Sequence, residues 1–182
     1  MSRSLLQAPM GTRCMKALLT VLVGAFALLV AVNNVTDYGS NFMFVQHVLA
    51  MDTTFEGNRL MWRAIEAEWF HHLAYWLIIA CEFSAGVLCT VGAIAMWRSR
   101  HQPAAQFQPA LMLASWGLVL GIALWFGGFM TVGAEWFLMW QSDAWNGQEA
   151  AFRFIMCLFG CLLFLHLPEP PCASAQQAPH GS

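Results

Sequence analysis

Residues 75–97 read YWLIIACEFSAGVLCTVGAIAMW, and this stretch decides the fold. It contains one charged residue, Glu82. As an α-helix with a rise of about 1.5 Å per residue it would be about 34 Å long, enough to cross a hydrocarbon core of about 30 Å. An acidic residue near the centre of such a helix costs about 2.5 to 3.5 kcal/mol. Glu82 therefore needs a partner, a proton or a function.

The composition of the whole chain is that of a membrane protein. Hydrophobic residues make up 59% of the 182 residues and charged residues 10%, outside the usual range of soluble domains. Three further apolar runs, at 17–32, 110–132 and 151–167, are near spanning length. The sequence predicts an all-α membrane protein, a bundle of four transmembrane helices. The predicted helices cover about residues 16–33, 71–97, 110–134 and 150–167.

Positive charges predict which way the chain crosses the membrane. Arg3, Arg13 and Lys16 precede the first span, and Arg98 and Arg100 lie between the second and third. Because cytoplasmic segments carry an excess of Lys and Arg, we expect both of these segments, and both termini, in the cytoplasm. The predicted partition is a cytoplasmic extension at 1–15, the four-helix domain at 16–167 and a disordered cytoplasmic tail at 168–182.

The connection between the first two spans is too long for a simple loop. Loops in helical bundles usually have about 2 to 8 residues, so residues 33–69 should form a structured extracytoplasmic segment. Its apolar run at 42–51 is too short to span the membrane, which predicts a helix lying in the interface. Asn58 is placed to cap a second short helix at 59–69.

Small residues on two spans predict where the helices pack. The third span carries Gly117, Gly121 and Gly128 on one stripe, and the second carries Ala85 and Cys89 at a spacing of four. In lipid, helix association depends on close van der Waals contact, which small residues allow. We therefore expect the second and third spans to pack against each other within the chain.

Glu82 shares one helical face with Tyr75 and His72, because their spacings follow the helical repeat. Glu82 follows His72 by ten positions, which correspond to about 15 Å of helix, so these two side chains cannot touch directly. One interpretation is a proton path, or a pocket for the polar headgroup of a ligand. The alternative is a neutral Glu82 hydrogen-bonded to a neighbouring helix, because burial disfavours the charged form.

A second group of candidates lies in the predicted external segments. Its members have side chains that bind zinc, iron or copper: His47, Asp52, Glu68, His71 and Glu135. Glu68 also lies four residues before His72, one helical turn away. No H-E-x-x-H or comparable spacing accompanies them. Histidines hydrogen-bonded to water or to the backbone are therefore the alternative to a metal site.

Three segments carry a resemblance to a known family: residues 33–41 (NNVTDYGSN), 46–54 (QHVLAMDTT) and 133–141 (GAEWFLMWQ). From the first span to Pro168, the chain resembles a bacterial family of predicted small integral membrane proteins whose function is unknown. The resemblance implies a four-helix protein of the bacterial inner (cytoplasmic) membrane. It brings no catalytic residues and no cofactor to assign.

These observations leave three hypotheses for function. The leading one is a non-enzymatic accessory or assembly partner of a larger membrane system, because no catalytic pattern stands out. Its partners would be the lipid bilayer and another membrane protein, and not nucleic acid. The second is a small-molecule or proton-coupled membrane function that uses Glu82 with His72 and Tyr75. The third is a metal or redox module at the external face.

Overall fold

The structure is a computed structural model that describes residues 10–168. It contains five helices: α1 (Met10–Thr36), α2 (Tyr38–Ala50), α3 (Glu68–Ser99), α4 (Ala104–Ile122), which continues as a π-helical segment (Ala123–Trp136), and α5 (Gln148–His166). Apart from α2, which is short, each of these is long and apolar enough to cross a membrane. The prediction of an all-α protein with four spanning helices is confirmed.

The helices extend beyond their predicted bounds. α1 begins at Met10 rather than at residue 16, so part of the predicted N-terminal extension is helical. α3 begins at Glu68 rather than at residue 71, and α4 begins at Ala104 rather than at residue 110. Helix ends tolerate polar side chains, so a hydropathy pattern does not locate the first and last residues of a helix accurately. The predicted tail, beyond Pro168, and the first nine residues lie outside the described part of the chain.

α3 is the central helix and contacts both α1 and α4 along their lengths. Glycines make both contacts close. A Cβ on Gly24 of α1 would lie 2.9 Å from the backbone nitrogen of Thr90 in α3. A Cβ on Gly92 of α3 would lie 2.6 Å from the backbone nitrogen of Ala114 in α4. Backbones this close leave no room for a side chain, so the glycines set the helix spacing.

The predicted small-residue stripe divides between two neighbours. A Cβ on Gly117 would lie 2.7 Å from Cys89 Sγ and 2.9 Å from the carbonyl oxygen of Ala85, both on α3. Gly121 instead faces Leu158 of α5, at 3.0 Å. Gly128 lies in the π-helical segment, where its Cβ would meet only Leu124 of the same helix within 4 Å. The contact with α3 is therefore made at Gly117 and not along the whole stripe.

The prediction of a helix at 59–69 is wrong. This segment contains a single 3₁₀ turn, Met61–Arg63, and α3 begins beyond it. Asn58 does not cap a helix; its Oδ1 accepts a hydrogen bond from the backbone nitrogen of Leu60, two residues on. The backbone nitrogen of Ile65 donates to the carbonyl oxygen of Leu49 at the end of α2. A hydrogen bond within a turn and one to α2 thus take the place of the helical hydrogen bonds expected in this segment.

The structured connection between the first two spans is nevertheless present, as a cap formed by residues 37–67 together with residues 137–147. α2 supplies the helix predicted at 42–51. Thr53 Oγ1 donates to Ser142 Oγ at 2.8 Å, and the backbone nitrogen of Phe55 donates to Gln141 Oε1 at 3.1 Å. Hydrogen bonds between two segments distant in sequence hold the cap together over one end of the bundle, the cap end.

At the opposite end of the bundle, called the terminal end, two basic side chains of α1 donate hydrogen bonds to other segments. Arg13 Nη1 donates to the carbonyl oxygens of Arg100 and Gln102, at 3.2 and 2.6 Å, in the loop between α3 and α4. Lys16 Nζ donates to the carbonyl oxygen of Leu167, just after α5, at 3.0 Å. Carbonyl groups at helix ends lack intrahelical partners, so these two cations of α1 satisfy groups at the ends of two other helices.

Candidate ligand-binding site

A cavity of about 340 Å³ lies among the helices beside Glu82. α1, α2, α3, α5 and the π-helical segment all contribute to its walls. Its polar lining comes from side chains on three of these helices: Asn34, Asn41, Tyr75 and Glu82. Its aromatic lining comes from five rings: Phe26, Phe44, Trp125, Phe129 and Phe154. Phe26 and Ala150, which are exposed, mark an opening to the molecular surface between α1 and α5.

The π-helical segment brings aromatic rings into this cavity. Its wider turns show in the hydrogen bonds from the backbone nitrogen of Phe137 to the carbonyl oxygen of Val132 and from Thr131 Oγ1 to that of Phe126. π-Helical turns are rare and are found frequently at functional sites. Trp125 and Phe129, both from this segment, line the cavity.

Glu82 is nearly fully buried, with 3% of its surface exposed. Its Oε2 accepts a hydrogen bond of 2.7 Å from Asn34 Nδ2 of α1. Within residues 10–168 the structure gives the carboxyl group no second hydrogen bond, and Glu82 lines the cavity. An ionised carboxyl group offers about four acceptor positions, and a protonated one offers an O–H donor and the remaining acceptors. Most of its hydrogen-bonding capacity is therefore directed to the cavity.

Asn34 is the residue that organises the site, and the sequence did not single it out. It is buried near the end of α1, where its Oδ1 accepts a hydrogen bond of 2.7 Å from Asn41 Nδ2 of α2. Its backbone carbonyl oxygen accepts a hydrogen bond of 3.2 Å from the hydroxyl group of Tyr75. The one signal in the sequence was the position of the Asn34 amide at the end of an apolar run. A polar group at that depth needs a hydrogen-bond partner.

The structure brings Tyr75 and Glu82 to the same cavity but places His72 elsewhere. His72 Nδ1 is 2.8 Å from the hydroxyl oxygen of Tyr38, and its ring stacks on Phe42 with centroids 4.1 Å apart. Glu68 Oε1 lies 3.9 Å from His72 Nε2. His72 thus packs against aromatic residues of the cap and does not line the cavity.

The five candidate metal ligands do not converge. His47 pairs with Asp52 at 2.7 Å, while His71 Nε2 contacts the carbonyl oxygen of Ile65 at 2.6 Å. Glu68 approaches only His72, and Glu135 is exposed. Over residues 10–168, the described part of the chain, no three His, Cys, Asp or Glu side chains are grouped closely enough to hold a metal ion. A protein zinc site needs three or four ligands in one place.

The cavity combines a small polar wall with a larger apolar surface. One carboxyl group, one phenol and two amides line a wall, and aromatic rings and aliphatic residues line the rest. Among the lining residues there is no Ser, Cys or Lys nucleophile and no histidine base.

The family model described as a predicted small integral membrane protein (DUF2165) matches residues 12–168.

The chain belongs to this family. The match includes every residue that lines the cavity, from Phe26 to Phe154, so the site lies within the DUF2165 domain. Comparison with curated proteins and with solved structures found no match. The DUF2165 protein is an integral membrane protein with four apolar helices, in agreement with the resemblance seen in its sequence.

Proposed function

We propose that this DUF2165 protein binds a small amphiphilic molecule in the cavity beside Glu82. The polar group of the ligand would meet Glu82, and its apolar body would lie against the aromatic rings. One observation carries the proposal: a buried carboxyl group with a single hydrogen bond lines an aromatic cavity of about 340 Å³. Ligand pockets typically have about 300 to 1,000 Å³ and a few polar groups on apolar walls.

A purely structural role for Glu82 accounts less well for this arrangement. Buried polar groups in folded proteins are normally satisfied by hydrogen bonds, and an acidic residue inside a membrane is costly. Helix packing alone would favour a filled space beside Glu82, because protein interiors are close-packed. The arrangement supports the second hypothesis from the sequence in a modified form, with Asn34 in place of His72.

A cavity-filling variant tests this proposal. In Ala150→Trp the indole would occupy the open side of the cavity, because Ala150 is exposed and lines it. Cys157→Trp is the matched control, because Cys157 is exposed on the same helix but does not line the cavity. We expect mass spectrometry of gently purified protein to find a bound small molecule with the wild type and with Cys157→Trp. The amount of this molecule should be about tenfold lower with Ala150→Trp. Equal small-molecule content in all three proteins would contradict the proposal.

The accessory or assembly role stays a prediction that the same purification addresses. A stoichiometric protein that co-purifies equally with wild type and Ala150→Trp would support an assembly role independent of the cavity. The metal or redox role likewise stays a prediction, and elemental analysis of the same samples addresses it. A stoichiometric metal would support it, although its ligands would then have to move together.

We propose that the protein lies in the bacterial inner membrane with both termini in the cytoplasm. Arg13, Lys16 and Arg100 lie together at the terminal end, and the side of a membrane protein rich in Lys and Arg is normally cytoplasmic. In a variant without its own cysteines, we expect a membrane-impermeant maleimide to label Asp143→Cys in intact cells. It should label His101→Cys only after permeabilisation. The reverse labelling pattern would exclude this orientation.

A further inference from the structure

We infer that the ligand of this cavity is an organic cation: a protonated or quaternary amine on an apolar body. The inference rests on the proposed function and names the chemical class of the molecule. It follows from three features of the cavity, which are its formal charge, the orientation of its hydrogen-bonding groups and its aromatic walls.

The first feature is the charge. Glu82 is the one residue lining the cavity that can carry a formal charge near neutral pH. No Lys, Arg or His is present among the lining residues. In a medium of low dielectric constant, a single unpaired charge is strongly disfavoured, and an opposite charge within contact distance restores the balance. An anionic ligand would find no positive side chain there.

The second feature is the pattern of hydrogen bonds around Glu82. Tyr75 donates its hydroxyl hydrogen to the carbonyl oxygen of Asn34, and Asn34 Nδ2 donates to Glu82. Asn41 Nδ2 donates to Asn34 Oδ1. In its charged form, Glu82 then offers further acceptor capacity on its second carboxyl oxygen. A ligand that donates hydrogen bonds or carries positive charge therefore matches the charged form of Glu82.

The third feature is the aromatic wall. Phe26, Trp125 and Phe154 form one cluster, with ring centroids 5.0 to 6.5 Å apart. Phe44 and Phe129 form a second pair at 6.1 Å. The faces of aromatic rings carry negative potential and attract cations, and cages of such rings recognise quaternary ammonium groups. The rings and the carboxylate thus favour the same ligand charge.

Binding of a cation would displace a proton from Glu82. At any pH at which Glu82 of the empty site carries a proton, a cation can pair with the carboxylate only as that proton leaves. When the cation binds, the carboxyl O–H bond breaks, the proton leaves to water and the carboxylate pairs with the ligand, so that total charge is conserved. Tyr75 of α3 is the other titratable lining group. Asn34 of α1, Asn41 of α2, and the lining residues of α5 and the π-helical segment carry no charge.

Two probes of the same shape test the inference. Phenyltrimethylammonium is a cation, and tert-butylbenzene is its neutral carbon isostere; benzenesulfonate serves as the anionic comparison. Binding is measured by equilibrium dialysis to the full chain in lipid nanodiscs, with empty nanodiscs subtracted. We expect the wild type at about pH 8 to bind the cation at least about tenfold more tightly than the isostere. Equal affinity, tighter binding of benzenesulfonate, or no binding of the cation would overturn the inference.

The role of Glu82 is tested in the same assay. Glu82→Gln keeps an oxygen that accepts from Asn34 but cannot carry charge, so the preference for the cation should disappear. Glu135→Gln is the matched control, because Glu135 is exposed and does not line the cavity, and it should keep the preference. A preference that survives in Glu82→Gln would overturn the inference.

A measurement on the wild type alone guards against a variant that fails to fold. Affinity for phenyltrimethylammonium should weaken about tenfold for each unit by which the pH falls, over the range in which the empty site is protonated. Affinity for tert-butylbenzene should not change. If the cation bound equally at about pH 5 and about pH 9, proton displacement would be excluded. Loss of a co-purifying molecule in Ala150→Trp without any cation preference would retain the proposed function and reject only the charge assignment.

Discussion

Gly92→Leu is expected to cause the largest loss of stability of any single substitution considered for this protein. A Cβ at position 92 would lie 2.6 Å from the backbone nitrogen of Ala114 and 2.8 Å from its Cα. These atoms belong to the backbone of α4, so they cannot move aside as a flexible side chain would. α3 and α4 would have to separate. Overpacking of this kind costs about 1 to 3 kcal/mol, and more when helices must shift.

The matched control for this substitution is Gly160→Leu on α5. A Cβ at Gly160 meets no atom within 4 Å, so leucine would extend toward lipid. Both substitutions gain helix propensity equally, and they differ only in their surroundings. The recovery of monodisperse protein from mild detergent, and the midpoint of unfolding in mixed micelles containing dodecyl sulfate, should fall for Gly92→Leu alone. Similar losses in both variants would show that the close α3–α4 contact does not limit stability.

The spanning helices were predictable because each has a long apolar run, and a lipid-spanning segment must satisfy its own backbone hydrogen bonds. The contact of Gly117 with α3 followed from a local pattern of small residues. Gly92 makes an equally close contact but has no small residue four positions away, and the stripe that places Gly24 with Thr20 and Ala27 was not recognised in the sequence. Their importance depends on which helices are neighbours, and hydropathy does not encode that.

Only the part of the candidate site that lies on α3 was predictable from the sequence. Tyr75 and Glu82 lie on one helix, and helical spacing alone places them on one face. The partner of Glu82 is Asn34, 48 residues away on α1, and nothing local links the two. The segment at 59–69 failed for a similar reason, because the hydrogen bond from Ile65 to Leu49 connects it to α2. Contacts between elements decided both outcomes.

Asn34→Leu is expected to destabilise the protein by about 1 to 3 kcal/mol, because it leaves the buried carboxyl group of Glu82 and the amide of Asn41 without their partner. Leucine has the same number and branching of side-chain heavy atoms as asparagine, so the loss would reflect hydrogen bonding more than packing. Asn33→Leu is the matched control. Asn33 is exposed beside Asn34 on the same helix, and only its backbone oxygen accepts hydrogen bonds in the structure, so stability should change little.

A double-mutant cycle assigns the effect to the Asn34–Glu82 pair. Replacing both partners of a buried hydrogen bond by apolar groups can be nearly neutral, so Asn34→Leu combined with Glu82→Leu should be more stable than Asn34→Leu alone. Interhelical hydrogen bonds in membranes show coupling energies of about 0.6 kcal/mol on average and about 1.7 kcal/mol at most. We expect a value near the upper limit, because the carboxyl group has no other partner in the described chain. Additive free energies of unfolding would mean that the pair contributes no stability and that Glu82 is held in place by the surrounding helices alone.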